Sequence, residues 1–380
     1  MTLDWDPEID SPATIAIVGG GPIGVESALY ARFLGYDVLL CDNKRIGDSL
    51  LAWGDRPMPC AWSEATTSLG LAALEAQGTP AKFPDTEFPP CRQYVENYLL
   101  PVARTDLIYD SVVINAPVRS ISRISTGNNL PTDLALRAEQ EFRLLVESQN
   151  ERGQFSQLAD IVLDCTGNSF GVRGLATGGG LAIGEREFCH WIHYGKLNLS
   201  RPTVAELLKQ HCVIFGDSAA ACANVLEMSN CLAAGRITWV LPKYLSEHRF
   251  APDSLNANLS TSEIDQLQQI LKGNNSEIAV LQAWGLEKVH FESAAGWNLT
   301  LQTSEEETLE LGADQLIVAV EQNPDWRFAA PLQLNKTIPE NAPSFFTPEP
   351  HYYVLGSKSG ANSLPSGIIQ IRELFSIVGG

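Results

Sequence analysis

Several absences narrow what this 380-residue chain can do. Its eight cysteines, at 41, 60, 91, 165, 189, 212, 222 and 231, form no CxxC pair and no cysteine–histidine cluster with zinc spacing. No metal site is expected, and several of the thiols fall inside apolar runs, as buried reduced cysteines of a cytoplasmic protein do. Basic residues are scarce. Lys and Arg number 26 against 45 Asp and Glu, a net charge of −19. A surface of that sign repels nucleic acid and anionic membrane. No apolar run reaches the ~18 residues of a membrane span. The first 13 residues, MTLDWDPEIDSPA, lack a basic opening and an apolar stretch. They read as a loose lead-in and not as a signal peptide.

What is present begins at Thr14. Ile15-Ala16-Ile17-Val18 reads as a buried parallel strand. Gly19-x-Gly21-x-x-Gly24 then opens a helix in which Val25, Leu29 and Phe33 share a face. Gly35 ends that helix, and a second apolar strand, Val38 to Cys41, stops at Asp42. Each glycine has a task. Gly19 permits a sharp turn, Gly21 lets a diphosphate approach the backbone, and Gly24 lets the helix lie against the strand. Free N–H groups at the helix start, here around Pro22 and Ile23, attract the phosphates. Asp42 lies 18 residues beyond Gly24, where a carboxylate reaches ribose hydroxyls. The strand, turn, helix and acid together predict dinucleotide binding. A glycine-rich turn in an ordinary α/β domain is the alternative.

The loop from Asn43 to Trp62 holds Gly47, Gly54, Pro57 and Pro59 and reads as irregular. If Asp42 grips a ribose, then Trp53, Arg56 and Trp62 lie beside a cofactor ring; otherwise this is a packed surface loop. Residues 91–105 suggest an amphipathic helix with the pairs Tyr94/Tyr98 and Val95/Leu99. Strands follow at 112–114 with 118–121, at 142–146 and at 159–164, and 125–140 reads as a hairpin loop. Residues 171–186 form a glycine-rich connection.

A second unit starts at His211. Cys212–Phe215 reads as a strand, Gly216-Asp217-Ser218-Ala219-Ala220-Ala221 opens a helix, and Ile237–Leu241 is the next strand. Ser218 stands at the second glycine position, where a Cβ crowds a diphosphate. Lys243, His248 and Arg249 follow with no acid, which suits a 2′-phosphate better than a free ribose. A scaffold with no nucleotide is the other reading. Residues 254–285 read as helical and polar, and strands are expected at 289–291, 298–302, 308–311 and 315–320. Two strands followed by Ala-Asp and an apolar strand occur twice, at 159 and at 313, an internal echo of two similar halves. Tyr352–Gly356 reads as a strand and turn. Ser366–Val378 reads as a helix started by Pro365 and capped by Ser363 or Ser366.

With these elements placed, nearly the whole chain resembles the pyridine nucleotide-disulfide oxidoreductase superfamily and its relatives, the flavin monooxygenases. The resemblance implies two Rossmann-like α/β domains, each with a β-meander, the second inserted into the first. The FAD domain takes 14–204 and 313–380, and the NAD(P) domain takes 205–312. Gly19, Gly21, Pro22, Ile23, Gly24, Asp42 and Asn43 match the FAD loop and ribose positions. Asp164-Cys165-Thr166-Gly167 matches the strand end that leaves the FAD domain, which brings in Thr166 and Gly167. Gly216, Ser218, Ala221 and Lys243 fall on the NAD(P) site. Val354-Leu355-Gly356 matches the strand that normally ends in Gly-Asp, with Ser357 in place of the acid. Trp53, Val118, Gly367 and Ile368 complete the implied cofactor set. Ile23 occupies the place of the loop cysteine that some relatives use, and no monooxygenase fingerprint is visible. The Trp-containing loop at 46–58 tilts the reading toward a monooxygenase.

The resemblance thus implies FAD reduced by NADPH, or NADH, serving a small-molecule acceptor. Arg56, His193 and Lys358 are the candidates near the flavin ring, although His193 also reads as structural and Lys358 as a solvated loop lysine. Open alternatives are a reductase of a non-disulfide acceptor and a flavoprotein with no nucleotide turnover. Whether the chain acts as a monomer or a homodimer is not legible in the sequence.

Overall fold

The structure is a computed structural model. It describes residues 4–79, 82–124, 131–148, 153–168, 174–197, 207, 209–231, 235–243, 259–273, 275, 277–320, 324–334, 342–361 and 363–379. The expected His248 and Arg249, and parts of 125–140, 171–186 and 254–285, lie outside these. The chain divides into two compact units. One comprises Met1–Leu51, Asp55–Gly171 and Pro324–Gly380, and the other Ala52–Gly54 and Val172–Asn323.

In the first unit, β1 (Thr14–Val18) runs into α1 (Pro22–Phe33) and β2 (Asp37–Cys41), with Ile15 opposite Val38 in parallel register. α1 closes as expected at its C-terminus. Gly35 adopts φ +92°, its N–H bonds to the Arg32 carbonyl, and the Tyr36 N–H reaches Ala31, the two bonds of a Schellman turn. Val25 and Leu29 are fully buried, but Phe33 is 63% exposed. The expected apolar face therefore stops one turn short.

Asp42 leads into a bend at Gly47 (φ +68°) and then a short helix, Asp48–Trp53, where an irregular loop is expected. Asp48 supplies the acid of its first turn and pairs with Lys44 and Arg45 at 3.1 and 2.8 Å. The helix over 91–103 forms with a π turn at Val95–Leu99. Pro101 has no N–H to give Asn97, and the ladder shifts so that Leu100 bonds to Val95. β3 (Val112–Val113) joins the sheet edge. β4 (Val118–Arg123), β5 (Phe142–Glu147) and β6 (Gln154–Ala159) form an antiparallel meander. The connection read as a hairpin loop contains the helix Leu134–Ala138, capped by the Asp133 carboxylate. β7 (Ile161–Asp164), buried throughout, returns beside β1.

The second unit follows. Its parallel sheet is built from β8 (His193–Tyr194), β9 (His211–Phe215), β10 (Arg236–Pro242), β11 (Ile278–Ala283) and β15 (Gln315–Val318), in the order β11-β10-β9-β15-β8. α2 (Ala219–Cys231) follows β9, and α3 (Thr261–Leu271) follows β10 with a capping box between Ser260 and Glu263. β12 (Gly285–Glu292), β13 (Gly296–Gln302) and β14 (Thr308–Ala313) form its meander. β11 corrects the helical reading of 254–285. Only α3 is helical among the described residues there, and Ile278–Ala283 hydrogen-bonds along β10. This unit is also wider than 205–312, because β8 and β15 pair within its sheet. The chain then returns to the first unit with β16 (Tyr352–Val354), giving the sheet order β16-β7-β1-β2-β3, and ends in α4 (Leu364–Val378), capped by Ser363.

The internal echo is atomic. The Asp160 carboxylate accepts the Thr14 N–H at 2.7 Å, and the Asp314 carboxylate accepts the His211 N–H at 2.7 Å. In each half the Ala-Asp corner after the meander clamps the first residue of the central strand.

Candidate functional site

The three glycines of the first loop are required for different reasons. Gly19 adopts φ +111°, and a Cβ there would stand 2.6 Å from the Cys165 carbonyl oxygen. A Cβ on Gly24 would stand 1.8 Å from the Gly19 carbonyl oxygen, so α1 rests on the turn itself. Gly21 differs. Its φ of −77° suits any residue, and a Cβ there would meet nothing within 4 Å. Neither the backbone nor the surrounding protein demands glycine at 21. Gly21 is the N-cap of α1 and makes no side-chain capping bond, and Pro22 takes the first helical position, where no donor is needed.

This bare helix start opens into a cleft. Its walls are Gly19, Gly21, Pro22 and Ile23; Asp42, Gly47, Asp48 and Ser49; Cys165, Thr166 and Gly167; and Leu355, Gly356 and Ser357. These residues follow the carboxyl ends of β1, β2, β7 and β16, the place where open parallel sheets take ligands. Asp42 folds back on the turn. Its carboxylate accepts the Gly20 N–H at 2.6 Å and the Lys44 N–H at 2.7 Å. Burial pushes the Asp42 carboxyl above its ordinary value, and these two N–H groups hold it down. α4 comes down on the same turn. A Cβ on Gly367 would lie 2.5 Å from Ile23 Cδ1, and Gly356 (φ +79°) packs on Ile23 as well. Ile368 is buried, 8% exposed.

Lys358 is not a solvated loop lysine, nor does it line the cleft. Its side chain is fully buried, as is that of Asp164. Nζ donates to Asp164 Oδ2 at 2.5 Å and to the Asp325 carbonyl at 2.7 Å, with Thr166 Oγ1 at 3.4 Å. The rings of Trp326 and Phe328 flank it at 4.0 and 4.8 Å. The three N–H groups of the ammonium are thereby taken.

Other expected residues lie elsewhere. Asn43 is exposed in the turn after Asp42. Val118 sits in the meander opposite Val146 and packs on its core. Trp62 is buried and stacks on Phe83 at 3.9 Å, which removes it as a cofactor-ring neighbour. Arg56 is half-buried, and its carbonyl accepts the Cys91 N–H. Trp53 is the half-buried last residue of its short helix. His193 belongs to β8, opposite Ile317, and its Nε2 lies 3.1 Å from Gln315 Oε1, so its surroundings are those of a sheet residue.

The second loop repeats the plan of the first with one change. Gly216 (φ +132°) would place a Cβ 2.3 Å from the Ala319 carbonyl oxygen, as Gly19 would at Cys165. Ser218 turns its hydroxyl onto that same Ala319 carbonyl at 2.5 Å, and the Ala221 N–H bonds to Ser218 Oγ at 3.3 Å. The helix start bare in the first unit is thus capped by its own chain in the second. Ala221 is fully buried, and Lys243 is exposed just past β10.

No family model and no curated protein sequence matches the chain. Among solved structures it is similar to a bacillithiol disulfide reductase of Bacillus cereus, with a TM-score of 0.64 at 14% identity over 96% of this chain and 99% of that one. It is also similar to the desferrioxamine-pathway cadaverine monooxygenase of Erwinia amylovora, solved bound to FAD, with a TM-score of 0.63 at 11% identity over 97% and 94%. A third is an ornithine N-hydroxylase of Kutzneria sp. 744, with reduced FAD, NADP+ and L-ornithine, with a TM-score of 0.60 at 11% identity over 95% and 99%. The chain shares the overall fold of these structures. Sequence reasoning missed the partners of Lys358. The one signal was an aspartate, Asp164, closing an otherwise apolar strand. Among the described residues there is no cluster able to hold a metal ion and no helix long and apolar enough to cross a membrane.

Proposed function

We propose that the chain binds FAD in the cleft at the Gly19–Gly24 turn and is an oxidoreductase whose flavin is reduced by NAD(P)H. Its acceptor is a small molecule other than a disulfide, in the manner of the flavin monooxygenases. The observation that carries this is Gly21. It is a glycine that the protein itself does not need, at an uncapped helix start over the ends of four parallel strands. A diphosphate against the backbone is what forbids a side chain there. The FAD named with the cadaverine monooxygenase, and the FAD and NADP+ named with the ornithine N-hydroxylase, support the same reading.

Bound FAD would supply the redox chemistry, accepting hydride from the nicotinamide and passing electrons to the acceptor. The chain supplies binding and orientation. Gly19, Gly21, Pro22, Ile23 and Gly24 present the bare helix start to the diphosphate. Asp42 keeps lone pairs for the ribose beside the two N–H groups it accepts. Thr166 and Gly167 line one wall and Gly356 and Ser357 the other, Ser357 with a hydroxyl where the resemblance leads one to expect an acid. Gly367, near the start of α4, lies against Ile23 and Gly356, and Ile368 beside it is buried. Gly216, Ser218, Ala221 and Lys243 are the proposed nicotinamide-nucleotide residues.

Cys60, Cys91 and Cys165 are poor candidates for disulfide exchange. Burial pushes Cys60 and Cys91 up to about 11, and it raises Cys165, the cysteine of the cleft. Thiolate is the reactive form, and these environments disfavour it. A second reading, FAD held with no nucleotide turnover, draws on the self-capped second loop at Ser218. One experiment separates the two. The spectrum of the purified protein is recorded with FAD, then with NADPH or NADH in the absence of air, then after air is readmitted. The proposal predicts yellow protein that bleaches with the nucleotide and recolours in air. Colour that never bleaches favours the second reading, and failure to take up flavin overturns both.

A further inference from the structure

We propose that the buried Asp164–Lys358 ion pair is a positioning pair. It ties together two walls of the cofactor cleft and keeps a net charge away from the flavin. The proposal rests on the reading that FAD occupies that cleft.

The pair joins distant parts of the chain. Asp164 ends β7 and leads directly into Cys165, Thr166 and Gly167, which line one wall. Lys358 sits in the turn Gly356–Ser359 after β16, whose Gly356 and Ser357 line the other. Every lone-pair direction of the carboxylate is used. Oδ1 accepts the Thr166 N–H at 3.1 Å and the Thr166 hydroxyl at 2.6 Å. Oδ2 accepts the Tyr352 hydroxyl at 2.8 Å and Lys358 Nζ at 2.5 Å. Thr166 is therefore oriented by Asp164, and Ser357 is held by the lysine that follows it.

Stability alone does not account for this arrangement. A buried ion pair is often no more stabilising than apolar residues of the same volume, whereas a single unpaired partner is costly. A pair that holds one geometry and cancels its own charge has a use beside a redox group. A lone cation there would favour the reduced, anionic flavin, and a lone anion would oppose it.

The test compares wild type with Lys358→Met, Asp164→Asn and the double variant. It reads FAD affinity by titration of apo-protein, the midpoint potential of the bound flavin, and apo-protein melting. Each single variant is expected to weaken FAD binding at least tenfold. Asp164→Asn should move the potential upward and Lys358→Met downward. The double variant should return the potential to the wild-type value while still binding FAD more weakly. Opposite signs are what a merely structural role would not produce. If a single variant fails to fold, the double variant decides, since it leaves no lone charge: weakened FAD binding with intact melting supports the pair. Wild-type affinity in the folded variants, or potentials shifted in the same direction, overturns it. A wild-type protein that takes up no FAD is seen first and overturns the underlying reading of the cleft instead.

Discussion

The Ser218 hydroxyl donates to the Ala319 carbonyl at 2.5 Å. In the first unit the corresponding position is Gly21, which has no side chain to turn in this way. Both loops start alike, with the Gly19 N–H on the Cys41 carbonyl and the Gly216 N–H on the Val240 carbonyl. They part at the second position, where one helix start is left for a ligand and the other is satisfied by the chain.

Replacing Ser218 by glycine removes the Cβ and frees the Ala221 N–H. A hydrogen bond returned to a phosphate contributes on the order of 1 kcal/mol, so Ser218→Gly should tighten NADPH or NADH binding about fivefold. Loss of a cap to glycine costs only a few tenths of a kcal/mol in stability. Fluorescence titration with the nucleotide checks this. Unchanged or weaker binding would mean that Ser218 does not compete with the phosphate.

Glu26 of α1 carries a pH dependence. It is 4% exposed and accepts the Tyr98 hydroxyl at 2.5 Å and the Thr67 hydroxyl at 2.8 Å. Burial raises its carboxyl above the ordinary value, against the pull of those hydroxyls and of Arg372. The folded state then binds the proton more tightly than the unfolded chain. Its contribution is greatest below the ordinary pKa and is lost as pH rises through the raised one. The melting temperature of Glu26→Gln minus that of wild type should therefore grow as pH rises across that window. A difference that stays flat with pH would contradict it.

His351 carries the opposite dependence. It is buried at φ +57°, with its ring 4.7 Å edge-on from Trp5. Burial, and then the charge of Arg123, pushes its imidazole down to about 4. The unfolded chain binds the proton more tightly here. Stability is intact above about 6.5 and falls as pH drops from there toward about 4. His351→Asn tolerates the left-handed backbone and removes the titration. Between pH 7 and pH 4.5 wild type should lose more melting temperature than this variant. An equal loss would place the acid sensitivity elsewhere.

The sequence disclosed those parts of the molecule whose requirements are local. The Gly19–Gly24 turn, the Gly35 helix end and the Ala-Asp corners at 160 and 314 are set by a few neighbouring residues, and each is found where the pattern puts it. β6 escaped notice because one of its faces is solvent-exposed and its composition is mixed; β11 is apolar but has no strict alternation of buried and exposed residues, and it lies in a stretch read as helical. The helix Asp48–Trp53 was hidden among glycines and prolines. What lies around a side chain was the least legible. Asp164 and Lys358 stand 194 residues apart, and only the approach of β16 to β7 unites them. Trp62 looked like a cofactor-ring neighbour until Phe83, 21 residues on, covered its face. Nothing in the strand composition told that Val118 would face the meander core.

The most direct test of the account is FAD titration of the wild type beside Gly21→Ala and Gly24→Ala, with apo-protein melting measured for each. A Cβ at 21 meets no protein atom and one at 24 collides with the Gly19 carbonyl. Gly21→Ala should leave apo stability within about 0.5 kcal/mol of wild type yet weaken FAD binding more than tenfold, while Gly24→Ala lowers stability itself. A wild-type protein that binds no FAD, or a Gly21→Ala protein that binds it as tightly as wild type, would contradict the claim that this turn cradles the cofactor.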